Sequence, residues 1–144
     1  MQINFKWITT KDEQFKDAVA LRTKVFVEEQ GYTPEMEFDE KDETARHVVG
    51  YDGDKAVCTA RVFYEKSQVL YLGRICVLPQ YRGKNIGAEL VCEMQNLAKN
   101  ENATQIVLGA QVPKRGFYEK QGLVAYGDEY DDGGIMHIMM KKSL

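Results

Sequence analysis

Apolar and polar residues alternate along much of the chain with the two-residue period of β-strands. This pattern predicts strands over residues 2–9, 45–51, 55–65, 69–78, 104–110, 123–127 and 134–142. Asp52-Gly53 and Ser67-Gln68 are turn signals, so the second, third and fourth strands are expected to be antiparallel neighbours. The fifth strand is almost wholly apolar, which is typical of the interior of a sheet.

Apolar residues at helical spacing separate several of these strands. A first helix is predicted from about Lys11, with Thr10 and Glu13 forming a capping box. A second helix is predicted over residues 82–99, and a short third one over 113–121. The order β-α-(α or loop)-β-β-β-α-β-α-β-β predicts an α/β fold with a mixed sheet and helices on both faces, in a single domain over residues 1–144.

Composition and charge exclude several classes of protein. The 144 residues carry a net charge of −3, which does not favour a nucleic-acid binder. The sequence contains no apolar run of membrane-spanning length and no signal-peptide pattern at its start, so no membrane partner is expected and a cytoplasmic location is predicted. Three dispersed cysteines without C-x-x-C spacing favour reduced thiols over a disulfide framework or a zinc site, and no metal is expected.

The charges are unevenly distributed. Residues 28–43 hold eight acids against Lys41, a local charge of −7 that leaves +4 for the rest of the chain. This acidic segment would suit a cationic substrate, or it is a solvated loop; both interpretations stay open. Arg22 falls on the apolar stripe of the first helix, where an unpaired charge is costly to bury. It either lines a pocket or extends its stem to the surface.

The segment after the fourth strand has the character of an anion-binding site. Pro79 ends the strand, and Arg82-Gly83-Lys84-Asn85-Ile86-Gly87-Ala88 opens the following helix. The unpaired N–H groups of a helix start and the helix dipole favour a negatively charged ligand. The small residues leave the backbone accessible, while Arg82 and Lys84 add positive charge. Neither a Walker loop nor the dinucleotide-binding G-x-G-x-x-G motif is present.

Two motifs resemble the GCN5-related N-acetyltransferase (GNAT) superfamily. Arg82 to Gly87 resembles its R/Q-x-x-G-x-G/A segment except at Asn85, where the family usually has glycine; asparagine tolerates a left-handed backbone. Residues 117–123, Phe-Tyr-Glu-Lys-Gln-Gly-Leu, resemble the family's F-Y-x-x-x-G-F. Residues 22–30 and 134–138 look like the ElaA and YjcF branch of the superfamily.

The resemblance implies an acyl-CoA-dependent N-acyltransferase that transfers acetyl from acetyl-CoA to a primary amine, by direct attack in a ternary complex. A non-catalytic acyl-CoA sensor or a protein-interaction module is the alternative. The acceptor would be a small amine or a peptide, and dimers are common in such folds. The residues expected to contact the cofactor are Ile75, Cys76, Val77, Arg82, Gly83, Lys84, Asn85, Ile86, Gly87, Ala88, Gln111, Phe117 and Tyr118.

The catalytic groups are less clearly marked. Tyr118 is the implied proton donor to the leaving thiolate, and His47 is the candidate base because its side chain titrates near neutral pH. His137, among apolar residues of the last strand, is interpreted as packed in the core. Cys76, on an apolar strand, is not expected to act as a nucleophile.

The charged residues that would bind the acceptor favour two different kinds of acceptor. Glu28, Glu29 and Asp39 would bind a cationic acceptor or deprotonate it through water. Arg61 and Arg74 would instead favour an anionic acceptor, and the sequence leaves this conflict open. The residues expected to contact the acceptor are Arg22, Glu28, Glu29, Asp39 and Arg74.

Overall fold

A computed structural model describes all residues, Met1–Leu144, and contains seven strands and five α-helices. The strands are β1 (Asn4–Ile8), β2 (Arg46–Asp52), β3 (Lys55–Lys66), β4 (Val69–Val77), β5 (Gln105–Gln111), β6 (Val124–Asp132) and β7 (Ile135–Ser143). The α-helices are α1 (Phe15–Arg22), α2 (Pro34–Glu37), α3 (Lys41–Thr44), α4 (Ile86–Asn100) and α5 (Arg115–Lys120). A π-helical segment, Thr23–Glu29, continues α1.

The strands form one mixed sheet in the order β1-β2-β3-β4-β5-β7-β6. Only β4 and β5 pair in parallel, and every other pair of neighbours is antiparallel. Val48 and Val49 are adjacent on β2 and therefore point to opposite faces. Val48 belongs to the larger apolar core, which includes α4, and Val49 to the smaller one, which includes α1 and the π-helical segment. The predicted α/β fold with helices on both faces is confirmed.

The sheet opens between β4 and β5. Their parallel pairing covers only Val69–Leu72 against Gln105–Leu108. Just beyond it, β4 carries one extra residue relative to β3, and Arg74 adopts a left-handed backbone (φ 52°). Such a β-bulge bends its strand and ends regular pairing. The remainder of β4, residues 73–77, therefore presents an unpaired backbone edge toward β5.

Two helix starts differ from the sequence-based expectation. Helix α1 begins at Phe15 instead of near Lys11, and the predicted capping box is absent because Asp12 instead accepts a hydrogen bond from the backbone N–H of Thr9. Helix α4 begins at Ile86 instead of Arg82, because the left-handed backbone of Asn85 (φ 67°) cannot continue a helix. None of the helices has the length and apolar character that a membrane span requires.

Candidate active site

A cleft of about 960 Å³ lies where β4 and β5 diverge. One end, called the cradle end, is formed by residues 82–88 without Lys84, together with Gln111, Phe117 and Tyr118. The opposite end is called the hairpin end, because the turn between β6 and β7 contributes to it. Its lining includes Tyr32, Asp39, Tyr71, Arg74, Tyr130, Asp132 and His137. The free edge of β4, with Ile75, Cys76 and Val77, joins the two ends.

The backbone at the cradle end leaves room for a ligand. Gly83 (φ 77°) and Asn85 (φ 67°) are both left-handed, so the prediction that asparagine fits this position is confirmed. Behind Asn85, the first N–H groups of α4 have no intrahelical acceptor. A Cβ on Gly87 would lie 3.2 Å from Phe117 Cζ, which explains the small residue there. Lys84 does not line the cleft, and its Nζ lies 5.4 Å from the centre of the Tyr81 ring.

Two contacts connect the end of the π-helical segment to the cradle end. Arg82 donates two hydrogen bonds of 2.8 Å to the Glu29 carboxylate, and its Nε donates to the Val77 carbonyl at 2.9 Å. The hydrogen bond from Arg82 lowers the pKa of Glu29. The amide of Gln111 donates to Gln30 Oε1 at 2.7 Å. Glu29, predicted to contact the acceptor, is therefore the counter-ion of Arg82.

Tyr118 projects from α5 into the cleft. The residue is only 9% exposed, and its ring meets Phe117 edge to face at 5.0 Å. The hydroxyl has no protein hydrogen-bond partner, yet it is not sealed from the cleft. Burial, with a smaller contribution from Cys76, raises the pKa of Tyr118 well above that of a free phenol. The side chain is thus a protonated donor facing open space.

Cys76 lacks the environment of a nucleophile. The side chain is buried on β4, and burial strongly raises the pKa of its thiol. Nucleophilic cysteines react as thiolates, which require a lowered pKa. The geometry agrees with the expectation that Cys76 contributes backbone groups to the cleft and no covalent chemistry.

A cluster of charges fixes the acidic segment to the sheet; most of it is buried, and only the side chains of Arg74 and Asp39 are partly exposed. Arg22 and Arg61 both bind Asp42, each at 2.8 Å. Arg22 also binds Glu37 at 2.8 Å, and Arg61 binds Asp39 at 2.7 Å. Arg74 completes the cluster with contacts to Glu37 (3.1 Å) and Asp39 (3.3 Å). Three guanidinium groups face three carboxylates, so the formal charge of the cluster is zero.

The cluster has opposite effects on two of its carboxylates. Burial raises the pKa of Glu37, although Arg74 and Arg22 oppose it. Burial also disfavours the charged form of Asp42, but hydrogen bonds and charge from Arg22 and Arg61 prevail and lower its pKa.

Two of the predicted acceptor contacts need correction. Arg22 is 1% exposed and lies outside the cleft, and each of its three side-chain nitrogens donates to Glu37 or Asp42. Glu28 is exposed, approaches Lys24 at 3.6 Å and does not line the cleft. Asp39 and Arg74 do line the cleft. Three of the eight acids of this segment, Glu37, Asp39 and Asp42, are held by the arginine cluster, and the other five are exposed.

His47 does not reach the cleft, so the expectation of a catalytic base at this position is corrected. The residue is fully buried, and its Nε2 lies 3.0 Å from the carbonyl oxygen of Asp42. Its Nδ1 is buried and has no partner. Burial lowers the pKa of His47, which favours the neutral imidazole. His47 packs beneath the acidic segment, and its ring is inaccessible to a substrate in the cleft.

The hairpin end contains residues that sequence reasoning missed. Tyr32 donates a hydrogen bond of 2.8 Å to the carbonyl of Asp132, which links the acidic segment to the β6–β7 turn. The hydroxyls of Tyr71 and Tyr130 both lie next to Gly109, and burial with the proximity of Tyr71 raises the pKa of Tyr130 to about 12. These tyrosines come from distant segments, so no local motif marks them.

The last strand contributes one more residue to the cleft, His137. The residue is 7% exposed, in agreement with the expectation that it is packed, but it also lines the cleft. One sequence feature could have indicated this position: His137 alternates with Ile138 and Met140, which are buried in the larger core on the opposite face of β7.

Comparison with known proteins agrees with this geometry. Residues 8–144 match the family model described as an acetyltransferase (GNAT) domain. The chain belongs to the GNAT acetyltransferase family. It is 36% identical over 136 residues to the uncharacterized N-acetyltransferase YjcF of Bacillus subtilis, covering 94% of this chain and 96% of YjcF. It is 30% identical over 129 residues to the Escherichia coli protein ElaA, covering 86% and 84% of the two chains.

The fold of this GNAT protein also resembles solved structures. The crystal structure of Escherichia coli ElaA superimposes with a TM-score of 0.87 at 26% identity and covers 98% of this chain and 99% of that one. A Lactobacillus plantarum crystal structure gives a TM-score of 0.91 at 28% identity, with 100% and 99% coverage. The predicted resemblance to the ElaA and YjcF branch is confirmed.

Proposed function

We propose that this GNAT protein transfers the acetyl group of acetyl-CoA to a primary amine by direct attack in a ternary complex. The observation that carries the proposal is the joining, in one cleft, of an anion-binding helix start, a free strand edge and an unpartnered tyrosine hydroxyl. Each would serve a different part of an acyl-CoA molecule. No nucleophilic side chain is required for this route.

The residues at the cradle end fit the cofactor. The N–H groups at the start of α4 and the charge of Arg82 suit a pyrophosphate, and a Cβ on Gly87 would meet Phe117. The free backbone edge over residues 75–77 offers hydrogen-bonding groups to the amides of the pantetheine arm and to the thioester carbonyl. Bound acetyl-CoA supplies the activated acyl group.

Tyr118 would assist departure of the sulfur. The amine nitrogen attacks the thioester carbonyl carbon, the C–N bond forms and the C–S bond breaks. A free phenol has a pKa near 10 and a free thiol a pKa near 8.5, so full proton transfer from tyrosine to the thiolate would cost about 2 kcal/mol. Burial raises the pKa of Tyr118 further. Its role is therefore to stabilise the developing thiolate with a hydrogen bond, with full protonation following from solvent.

The acceptor is proposed to be cationic. An anionic acceptor would need free guanidinium groups, but Arg61 and Arg74 are engaged by Asp39 and by their other carboxylate partners in the buried cluster. Three tyrosines and the carboxylate of Asp132, which forms no salt bridge, line the same end of the cleft. Aromatic faces and carboxylates both attract an ammonium group. A small primary amine or the amino group of a peptide meets these requirements.

The first test is calorimetric titration with acetyl-CoA, followed by a screen of small amines and peptides for release of the CoA thiol. Saturable acetyl-CoA binding with amine-dependent thiol release is expected. Failure to bind at millimolar concentration would refute the proposed cofactor. Binding without turnover on any amine would favour the alternative, a non-catalytic acyl-CoA sensor.

A further inference from the structure

The hydrogen bonding of His137 determines which of its ring nitrogens can accept a proton. Nδ1 lies 2.8 Å from the carbonyl oxygen of Ile135, which can only accept a hydrogen bond. Nδ1 therefore carries the proton, and Nε2 of the neutral imidazole carries the lone pair. Nε2 forms no hydrogen bond within the protein and is not sealed from solvent. The basic nitrogen of His137 is thus open to the cleft.

The position of His137 relates it to the cofactor. Gln111, at the end of β5, lies directly opposite His137 on β7, and Tyr130 lies directly opposite it on β6. Side chains of opposite residues share one face of a sheet, with Cβ atoms about 5 Å apart. All three line the cleft, and the ring of Tyr130 lies 5.8 Å from that of His137. His137 is therefore next to Gln111, which the family resemblance implies is a cofactor contact.

Direct acyl transfer to an amine needs a group in the cleft that accepts a proton from the ammonium. An alkylammonium with a pKa near 10.4 is only about 0.04% neutral at pH 7, which adds roughly 4.6 kcal/mol to the barrier unless the proton is removed in the site. His47 is sealed beneath the acidic segment, and the carboxylates of Glu37 and Asp39 are bound to arginines. His137 presents an imidazole nitrogen that faces the cleft without a partner.

We propose that His137 is the general base of the reaction; this inference rests on the proposed function. The acceptor ammonium gives one proton to Nε2, and the imidazolium formed keeps its Nδ1 hydrogen bond to Ile135. The neutral amine attacks the thioester carbonyl and loses its second proton as the amide forms. The departing thiolate takes up one proton, so one proton per turnover is released to solvent.

The test uses His137→Ala and His137→Gln in the full chain, with a primary amine that the wild type acetylates. Turnover is expected to fall about 10²- to 10⁴-fold in both variants, as for loss of a general base. The Kd for acetyl-CoA should change by less than about threefold (under 1 kcal/mol). Added imidazole should partly restore turnover in His137→Ala, where a ring-sized space remains. It should not restore His137→Gln, whose side chain fills that space.

Three other outcomes would contradict the role of His137 or the proposed function. Turnover of His137→Gln within about tenfold of the wild type would overturn the assignment, since general bases contribute more than this. A large loss that imidazole does not restore in His137→Ala would also overturn it and indicate a purely structural residue. If the wild type binds acetyl-CoA but acetylates no amine, the proposed function fails as well, and that failure is visible before any variant is made.

Discussion

The two ends of the cleft are built in different ways. The cradle end is formed chiefly by one continuous segment, Arg82 to Ala88, and its ligand-binding groups are largely backbone N–H groups at the start of α4. The hairpin end draws side chains from the acidic segment, β3, β4, β6 and β7, and is underlain by the buried charge cluster of Arg22, Arg61 and Arg74 with three carboxylates.

Because of this difference, substitutions at the two ends should have different effects on affinity and on stability. A backbone site retains its shape as long as its left-handed residues do, so changes there should affect ligand affinity more than folding. A buried ionic cluster is different, because removing one partner leaves an unpaired charge inside the protein. Changes beneath the hairpin end should therefore affect folding first.

The largest expected effect is on stability, in Arg22→Met. The substitution leaves Glu37 and Asp42 with fewer partners in a buried position, which should lower the free energy of unfolding by about 3–5 kcal/mol. Denaturant titration measures this change. If the variant does not accumulate as a folded protein, a reduced yield of soluble chain with Arg22→Lys intermediate would agree with the same cause.

A matched control is the exposed pair of Arg46 and Glu101, also joined by two hydrogen bonds. Arg46 lowers the pKa of Glu101 to about 2, but solvent screens the pair. Arg46→Met should therefore cost only about 1 kcal/mol or less. Equal losses in Arg22→Met and Arg46→Met would remove the distinction between the buried and exposed pairs.

The second effect is on turnover, in Tyr118→Phe at the cradle end. Phenylalanine keeps the ring that packs against Phe117 but removes the only hydroxyl proposed to meet the leaving thiolate. We expect kcat to fall about a hundredfold or more, with the Kd for acetyl-CoA nearly unchanged. Steady-state thiol release and calorimetry give the two numbers. Full activity in the variant would show that the thiolate leaves without this donor.

The third effect is on affinity, at Asn85. A β-branched residue cannot adopt φ 67° without strain, so Asn85→Val should cost about 1–2 kcal/mol in forming the cradle and weaken acetyl-CoA about tenfold. Asn85→Gly accepts the same backbone angle and should stay within about threefold of the wild type. Calorimetric titration of both variants tests whether the backbone angle, and not the asparagine side chain, determines binding. A large loss in Asn85→Gly would indicate a direct side-chain contact with the ligand.

The same contrast explains what could be predicted from the sequence. The left-handed conformation of Asn85 was predictable because the resemblance places it where the family usually has glycine, and asparagine tolerates the same backbone. The strand pattern and the two helical layers followed from hydrophobic periodicity, which is also local. The start of α4 was predicted four residues too early because polar residues at a helix start and in a preceding loop have similar composition.

The hairpin end could not be predicted in the same way. Arg22 was expected either to line a pocket or to reach the surface, and it does neither, because Glu37 and Asp42 reach it from 15 and 20 residues away. The positions of the two histidines relative to the cleft could not be predicted for a related reason. His47 is covered by the acidic segment and His137 is not, and which strand a distant loop covers is a property of the tertiary structure alone.

The smallest expected effect concerns the contact between the two ends, in Glu29→Gln. The pyrophosphate of the cofactor and the Glu29 carboxylate would compete for Arg82, so removing the negative charge should strengthen acetyl-CoA binding. The pair is partly exposed and is worth about 0.2–1 kcal/mol, which corresponds to an affinity gain of up to about fivefold. Because Arg82 lowers the pKa of Glu29, the carboxylate stays ionised in mild acid, and the gain should persist there.

Glu28→Gln provides the matched control for this last change. It removes the same charge from the adjacent residue, which approaches Lys24 and lies outside the cleft. An equal gain in both variants would indicate general screening of the basic cradle end. A loss of affinity in Glu29→Gln alone would show that the carboxylate orients Arg82 for the pyrophosphate. A gain confined to Glu29→Gln would mean that the acidic segment, besides forming the hairpin end, restrains cofactor binding at the other end of the cleft.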